Sequence, residues 1–257
     1  MRLDDAVALR AGVTRSRARS LILAGRVRVD GEPATKAGLS VRQDARIEVE
    51  RAQPYVSRGG EKLEHAMDAF GIDPAGMRAL DIGASTGGFT DCLLARGAAH
   101  VTALDVGYGQ LAWSLRNDPR VTVIERTNFR FVPEGALGTP FDVIVIDVSF
   151  ISLRTIVERA RRFLAPEGTI VALVKPQFEA GRERIGRGGV VRDREVHEAV
   201  LREVRDQMQE LGLQAVALIA SPLLGPAGNR EFFMRLQARG RSIEDELIGL
   251  TVNETAT

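Results

Sequence analysis

Two apolar runs frame the chain: Val143-Ile-Val-Ile-Asp147 and Ile170-Val-Ala-Leu-Val-Lys175. Each has the length and β-branched content of a strand buried on both faces of a parallel sheet, and the two end on opposite charges. Similar runs at 78–82, 100–105, 121–125, 214–221 and 231–237 join those at 141–147 and 168–175 to predict seven strands. Amphipathic stretches at 87–96, 152–164 and 194–212 predict helices between them. Such alternation implies a mostly parallel sheet covered by helices on both sides. Residues 222–230 are too few for a crossover helix, so the last two strands are expected to pair antiparallel.

The first fifty residues follow a different rhythm. Leu3, Val7, Ala8 and Gly12 are spaced as a short helix closed by glycine. Thr14-Arg15-Ser16-Arg17 offers N-cap residues to a second helix carrying Ala18, Leu21, Ile22 and Ala24 and ended by Gly25. Val27-Arg28-Val29 and Arg46-Ile47-Glu48-Val49 predict short strands, with Asp30-Gly31 as a hairpin turn. Glu50-Arg51-Ala52-Gln53-Pro54-Tyr55 predicts a short, close tether. The expected organisation is a small α+β domain over 1–50, a linker at 51–56 and a large α/β domain over 57–257.

Composition narrows the classes. A chain that is 44% hydrophobic and 27% charged is neither fibrous nor disordered. No apolar run approaches the ~20 residues that span a bilayer, and Met1-Arg2-Leu3-Asp4-Asp5 lacks the apolar core of a signal peptide, so no membrane partner is expected. The single cysteine, Cys92, excludes an internal disulfide and a Cys-rich zinc site; no metal is expected, and a reduced, cytoplasmic protein is. The net charge of +1 hides an asymmetry. Residues 1–60 carry 12 Lys and Arg against 7 Asp and Glu, and the remainder 23 against 27. A basic front end fits a module that meets phosphate, though a solvated charged face has the same composition. Arg15, Arg17 and Arg19 at the start of the second helix, with Arg26 and Arg28 past its end, are the candidate contacts.

Candidate chemistry clusters at strand ends. Ligands of open α/β sheets sit beyond the carboxyl ends of the strands. Asp147 and Lys175 fall there, and each is costly at the edge of an apolar strand unless paired or working. Asp81-Ile82-Gly83-Ala84-Ser85-Thr86-Gly87-Gly88 occupies the first strand-to-helix turn, where glycines let backbone approach a ligand. It lacks the dinucleotide Gly-x-Gly-x-x-Gly spacing and suits a ligand with a cationic centre and an amino-acid tail, S-adenosylmethionine. Candidate donor-binding residues are Asp81, Gly83, Ser85, Thr86, Gly87 and Gly88. Asp105, ending the second strand, is placed for ribose hydroxyls, and Asn128, after the third, for an adenine edge. Lys62 and Glu231 taken singly read as a solvated helix lysine and an edge-strand carboxylate.

Two resemblances organise these signals. Arg2-Leu3-Asp4, Ser16-Arg17, Leu21-Ile22, Gly25, Val27, Val29-Asp30-Gly31, Lys36, Val41 and Asp44 resemble the S-four-type RNA-binding domain over about residues 2–50. That resemblance makes the front arginines RNA contacts, mainly to phosphate. The ordered set Lys62, Asp147, Lys175 and Glu231 resembles the Lys-Asp-Lys-Glu tetrad of FtsJ-type 2′-O-ribose methyltransferases. Within that group, Gly83-Ala-Ser-Thr-Gly-Gly-Phe-Thr90, Asp105-Val-Gly-Tyr-Gly-Gln-Leu-Ala-Trp113, Asp147-Val-Ser-Phe-Ile-Ser152, Lys175-Pro-Gln-Phe-Glu179 and Gly225-Pro-Ala-Gly-Asn229 look like the TlyA family, often labelled hemolysin A. The resemblance implies a seven-stranded Rossmann-like methyltransferase domain, S-adenosylmethionine as donor, and ribosomal RNA or a ribosomal subunit as partner, methylated on cytidine ribose. The start at Arg2-Leu3-Asp4 matches the shorter members and implies large-subunit rRNA alone.

The resemblance makes Lys175 the favoured group for proton transfer, oriented by Asp147, with Lys62 and Glu231 completing a charge-balanced ring. Phe150 is expected either to stack on the target base or to shape the cofactor pocket, against the commoner use of phenylalanine as core. Ala180-Gly-Arg-Glu-Arg-Ile-Gly-Arg-Gly-Gly189 reads as a basic flap over RNA backbone or as a disordered connector. Competing readings are an rRNA base methyltransferase and a non-catalytic RNA-binding or ribosome-assembly protein. Carbon methylation of cytosine needs a cysteine nucleophile, and Cys92 falls on a core-facing helix position.

Overall fold

The computed structural model describes residues 1–42, 44–49, 54–138, 140–186 and 188–254, and the chain divides into two units, Met1–Gln53 and Pro54–Thr257. Residues 51–53 of the predicted linker lie outside the described residues.

In the first unit, helix α1 (Leu3–Ala11) starts with Asp4 and Asp5 in its first turn, where carboxylates suit the helix dipole, and ends at Gly12 in the left-handed conformation. Helix α2 (Arg15–Leu23) is capped by Thr14, whose hydroxyl accepts the Arg17 amide. Strand β1 (Val27–Val29) lies between β2 (Glu32–Pro33) and β3 (Ile47–Val49), antiparallel to both. The sequence gives no cue for β2, which is two residues long and contains proline; an edge strand tolerates that missing amide. Leu3, Val7, Ala18, Ile22 and Val27 pack as the core.

The second unit opens with α3 (Arg58–Phe70), then alternates β4 (Arg78–Ile82), α4 (Gly88–Ala95), β5 (His100–Leu104), α5 (Trp113–Arg116), β6 (Val121–Ile124), β7 (Phe141–Ile146) and α6 (Leu153–Ala160). There follow β8 (Leu164–Val174), α7 (Pro176–Glu179), α8 (Arg194–Glu210), β9 (Gln214–Ala220), β10 (Phe232–Gln237) and α9 (Asp245–Asn253). The strands form one sheet in the order β6-β5-β4-β7-β8-β10-β9. The pairs from β6 through β8 are parallel, and β10 runs antiparallel to β8 and β9.

Alternation along each strand feeds two cores. Ile144, Ile146, Ile170 and Ala172 face the side covered by α6, α8 and α9, while Val143, Val145, Val171 and Leu173 face α3 and α4. The short helices α5 and α7 are not among the expected elements, and β8 and α9 depart further. Strand β8 begins four residues early at Leu164, which pairs with Phe141 ahead of an irregularity. Gly168 is needed inside it because a Cβ there would press on the Phe141 and Asp142 carbonyls at 3.0 Å. Helix α9, absent from the sequence reading, buries Ile248, Thr251 and Val252.

Strand order reverses between β4 and β7: the chain runs outward through β5 and β6, then returns to the other side of β4. That switch point fixes where a ligand crevice opens.

Candidate active site

The turn after β4 is built by close approach. Gly83, at φ 89°, leaves no room for a side chain, since a Cβ would sit 2.2 Å from the Asp147 carbonyl oxygen. Its amide donates to Leu104 O at 2.9 Å and Asp147 N donates to Ile82 O at 3.0 Å, so the ends of β5, β4 and β7 are tied together. Asp105 reinforces the knot: Oδ2 accepts the Ser85 amide at 2.8 Å and Oδ1 the Gly107 amide at 2.6 Å. Gly87, also left-handed, packs against Leu111 and Leu115, and Gly88 starts α4 against Ser57 and Gly60.

Two cavities meet at this knot, and Gly83, Ser85 and Asp147 line both. The larger, about 490 Å³, runs past Asp105, Thr127, Asn128 and Phe150. The smaller, about 240 Å³, is walled by Thr86, Gly88, Lys62, Lys175 and Glu231. Asn128 Oδ1 is used by the Arg130 amide, which directs the rest of the carboxamide.

Four charges converge on the smaller cavity. Asp147 follows β7 and Lys175 follows β8; the Lys175 Nζ lies 2.5 Å from Asp147 Oδ1 and donates to Ser149 Oγ at 3.0 Å. Register pairs Phe232 with Val174, so Glu231, one residue earlier, stands level with Lys175. Its carboxylate turns to the Lys62 Nζ of α3 at 2.6 Å. Gly225 makes this possible, because a Cβ there would come within 2.4 Å of Glu231 Oε1. The two ion pairs differ in access: Lys62 and Glu231 are buried, whereas the Asp147 side chain is 27% exposed.

The sequence-predicted residues are not all in this crevice. Asp81 is wholly buried and lines neither cavity; Oδ2 accepts the Thr90 hydroxyl at 2.7 Å, and among the described residues Oδ1 has no partner. It supports the turn from behind. Burial pushes its carboxyl up to about 7, opposed by the Thr90 hydroxyl and aided by the charges of Asp147 and Asp105. The unfolded carboxyl ionises near ~3.9. The folded chain therefore holds this proton more tightly, and the group's contribution to stability falls as pH rises from about 4 to about 7, by about 4 kcal/mol. Asp81→Asn should remove that slope, so urea midpoints at pH 5 and pH 8 should differ less in the variant than in the parent; parallel profiles would contradict it.

Phe150 is 90% exposed, at φ 64°, with its ring 4.8 Å from that of Phe178. This overturns the core reading. Glu179, read in the sequence only as part of a motif, ties the segment after Phe150 to the one that carries Phe178: its carboxylate accepts the Leu153 amide at 2.8 Å and the Ser152 hydroxyl at 3.1 Å. Parts of the 180–189 segment are tied to the domain. Arg184 is fixed by both carboxylate oxygens of Glu203, and Asn229 joins Gly189 O to the Val191 amide. Arg187 lies outside the described residues.

In the first unit, Arg15 and Arg19, together with Arg2, converge on the buried carboxylate of Asp4, whose pKa the hydrogen bonds and charges of Arg2, foremost, and Arg15 hold well below the usual range. Arg17 is exposed, Arg26 half-buried. No group of three or more potential metal ligands occurs among the described residues, and no described helix is long and apolar enough to cross a membrane.

Strand order, antiparallel β10 and a glycine turn at the switch point define a Rossmann-like methyltransferase. Residues 55–238 match the model of the FtsJ-like methyltransferases and residues 1–47 that of the S4 domain. The chain is 50% identical over 239 residues to the 16S/23S rRNA (cytidine-2′-O)-methyltransferase TlyA of Mycobacterium tuberculosis, covering 91% of this chain and 89% of that one. It is 45% identical over 237 residues to a putative rRNA methyltransferase of Bacillus subtilis, covering 91% and 84%. A solved structure described as a putative hemolysin from Streptococcus thermophilus superposes with a TM-score of 0.78 at 39% identity, over 99% of this chain and 94% of that one. The chain belongs to the FtsJ-like methyltransferase family, in its TlyA group, and uses S-adenosylmethionine. The larger cavity fits that donor: the Gly83 cradle excludes any side chain, and Asp105, Asn128 and the Asp147 carboxylate line the wall as hydrogen-bonding and charged groups.

Proposed function

We propose that the chain methylates the 2′-hydroxyl of cytidine in ribosomal RNA, with Lys62, Asp147, Lys175 and Glu231 as the reacting group of residues. The observation that carries this is the convergence of both ion pairs on one small cavity that joins the donor cavity at Asp147. When bound, S-adenosylmethionine supplies a methyl group activated by cationic sulfur. A ribose hydroxyl is a poor nucleophile at neutral pH, so the protein's share is alignment and proton management. Lys175, at the more open pair, faces the hydroxyl; as the ammonium held by Asp147 it favours the developing alkoxide, and it takes the hydroxyl proton only after passing one of its own to the Asp147 carboxylate. Asp147 orients Lys175 and presents its charge toward the donor cavity. Lys62 and Glu231, buried and already paired, hold the ribose without rearranging. Asp105 and Asn128 serve the donor's ribose and base, and Gly83 and Ser85, on the wall common to both cavities, its remaining contacts; Thr86 and Gly88 line the smaller cavity, and Gly87, which lines neither, shapes the turn against Leu111 and Leu115.

Cys92 is buried, with its thiol pushed up to about 12 by that burial, which disfavours the thiolate that cytosine carbon methylation requires. The S4 unit supports an RNA substrate, with Arg15, Arg17, Arg19 and Arg26 as phosphate contacts. Methyl transfer to rRNA transcripts in which every cytidine carries 2′-fluorine tests the reading. No transfer is expected, whereas a base methyltransferase would still label them.

Phe150 is proposed to stack on a base of the substrate. Because its ring is exposed, Phe150→Ala should leave the melting temperature unchanged. Losing a stack worth about 1–3 kcal/mol should raise KM for RNA roughly tenfold. An unchanged KM would remove Phe150 from the RNA contacts.

A further inference from the structure

Glu231 also lines a third cavity, of about 640 Å³, that the reaction above leaves unused. The start of α8, the end of β9 and the 222–230 loop enclose it. Its wall carries Arg192, Arg230 and His197. His197 is 1% exposed, and among the described residues neither ring nitrogen has a hydrogen-bond partner. The Val191 backbone approaches the ring without hydrogen-bond geometry, and Phe232 packs against it at 5.7 Å. Arg230 Nη2 is likewise buried and without a partner among the described residues. Arg192 is exposed and makes no ion pair among them. Buried polar groups lacking partners are uncommon in folded proteins, and two on one wall beside a further guanidinium mark the place of an absent acceptor. The carboxylates on this wall do not meet the need. Glu231 is held by Lys62, and Glu254 is exposed.

We propose that this cavity is an oxyanion site for a phosphate of the RNA strand, one nucleotide away from the ribose being methylated. Guanidinium and imidazole N–H groups are the donors that a phosphodiester accepts from most strongly. Sharing Glu231 with the reacting cavity places the site within reach of a neighbouring nucleotide. Val190, Pro222 and Leu224 give the adjoining sugar or base an apolar surface. The inference rests on the RNA reading above; a free nucleotide presents the same phosphate chemistry.

The chain has three histidines, so replacing His65 and His100 assigns the His197 imidazole signals in nuclear magnetic resonance by elimination. An rRNA fragment containing the methylated cytidine, added to the full chain with S-adenosylmethionine, should shift those signals. Arg230→Gln should weaken binding of that fragment about tenfold and lower the salt slope by about one phosphate. Affinity for S-adenosylmethionine and kcat at saturating RNA should not change. Arg192→Gln, at an exposed position, should act in the same direction and serves if Arg230→Gln does not fold. A shift with cytidine monophosphate but none with RNA upholds the oxyanion site and assigns it to a free nucleotide. Static His197 signals with both, or an unchanged salt slope in a folded variant, overturn it. A shift with RNA from a parent chain that transfers no methyl group contradicts the proposed function and leaves this site standing.

Discussion

Lys175→Ala is expected to lower methyl transfer by about 10³-fold or more while the chain still folds and binds S-adenosylmethionine. Lys175 sits immediately after β8, with its ammonium against Asp147 and Ser149 at the wall shared with the donor cavity. The two lysine side chains are similarly covered, 13% exposed for Lys175 and 10% for Lys62, but of their carboxylate partners only Asp147 is partly open to water. Removing a group that acts mainly on the developing charge lowers kcat rather than raising KM, and general acid–base and electrostatic contributions of 10²–10⁴-fold are typical. The truncation leaves Asp147 at 27% side-chain exposure, where water replaces the lost ammonium, so stability should change little. The check is single-turnover transfer of labelled methyl to rRNA beside calorimetric donor binding. A variant with more than about a tenth of parental kcat removes Lys175 from the chemistry.

Glu231→Ala should be damaging in a different way. Lys62 is 10% and Glu231 1% exposed at the side chain, and their 2.6 Å pair joins α3 to the start of β10 across 169 residues of sequence. Breaking a buried pair strands a charge, typically at about 3–5 kcal/mol, enough to consume a large part of a domain's stability. Replacing both partners by apolar residues of similar volume, as in Lys62→Met with Glu231→Leu, avoids the stranded charge and should restore the urea midpoint of the parent or exceed it. Methyl transfer should remain lost in the double variant. Recovery of stability without activity separates the two roles of the pair. Recovery of both would make it structural only.

The sheet was legible because its strands are buried on both faces: runs such as 143–146 and 170–174 have few other uses, and all seven strands lie where their β-branched content puts them. The antiparallel pairing of the last two followed from loop length. The insertion of β10 between β8 and β9 had no local signal, since strand neighbours are chosen by burial across the whole sheet. Helix α9 was missed because exposed Leu247 and Leu250 blur the stripe formed by Ile248, Thr251 and Val252.

The site was legible as a set of residues and less so as a set of contacts. Proximity of Asp147 and Lys175 was readable from two strand ends, whereas the Lys62–Glu231 pair depends on how α3 lies over the sheet. Asp81 looked like a donor contact because it precedes the glycines. Period-two alternation puts it with Ala79 on the α4 side, where Thr90 takes it. Residue type alone favours core for Phe150, whereas its ring is exposed on a left-handed backbone that no local pattern signals.

The central claim is ribose methylation at the meeting of these two cavities. Labelled methyl from S-adenosylmethionine should be transferred to isolated ribosomal subunits or naked rRNA and the product digested to nucleosides, with each subunit assayed separately. The predicted product is 2′-O-methylcytidine, absent with the Lys175→Ala chain. Label on a cytosine base, or no label on rRNA from either subunit, would contradict the account.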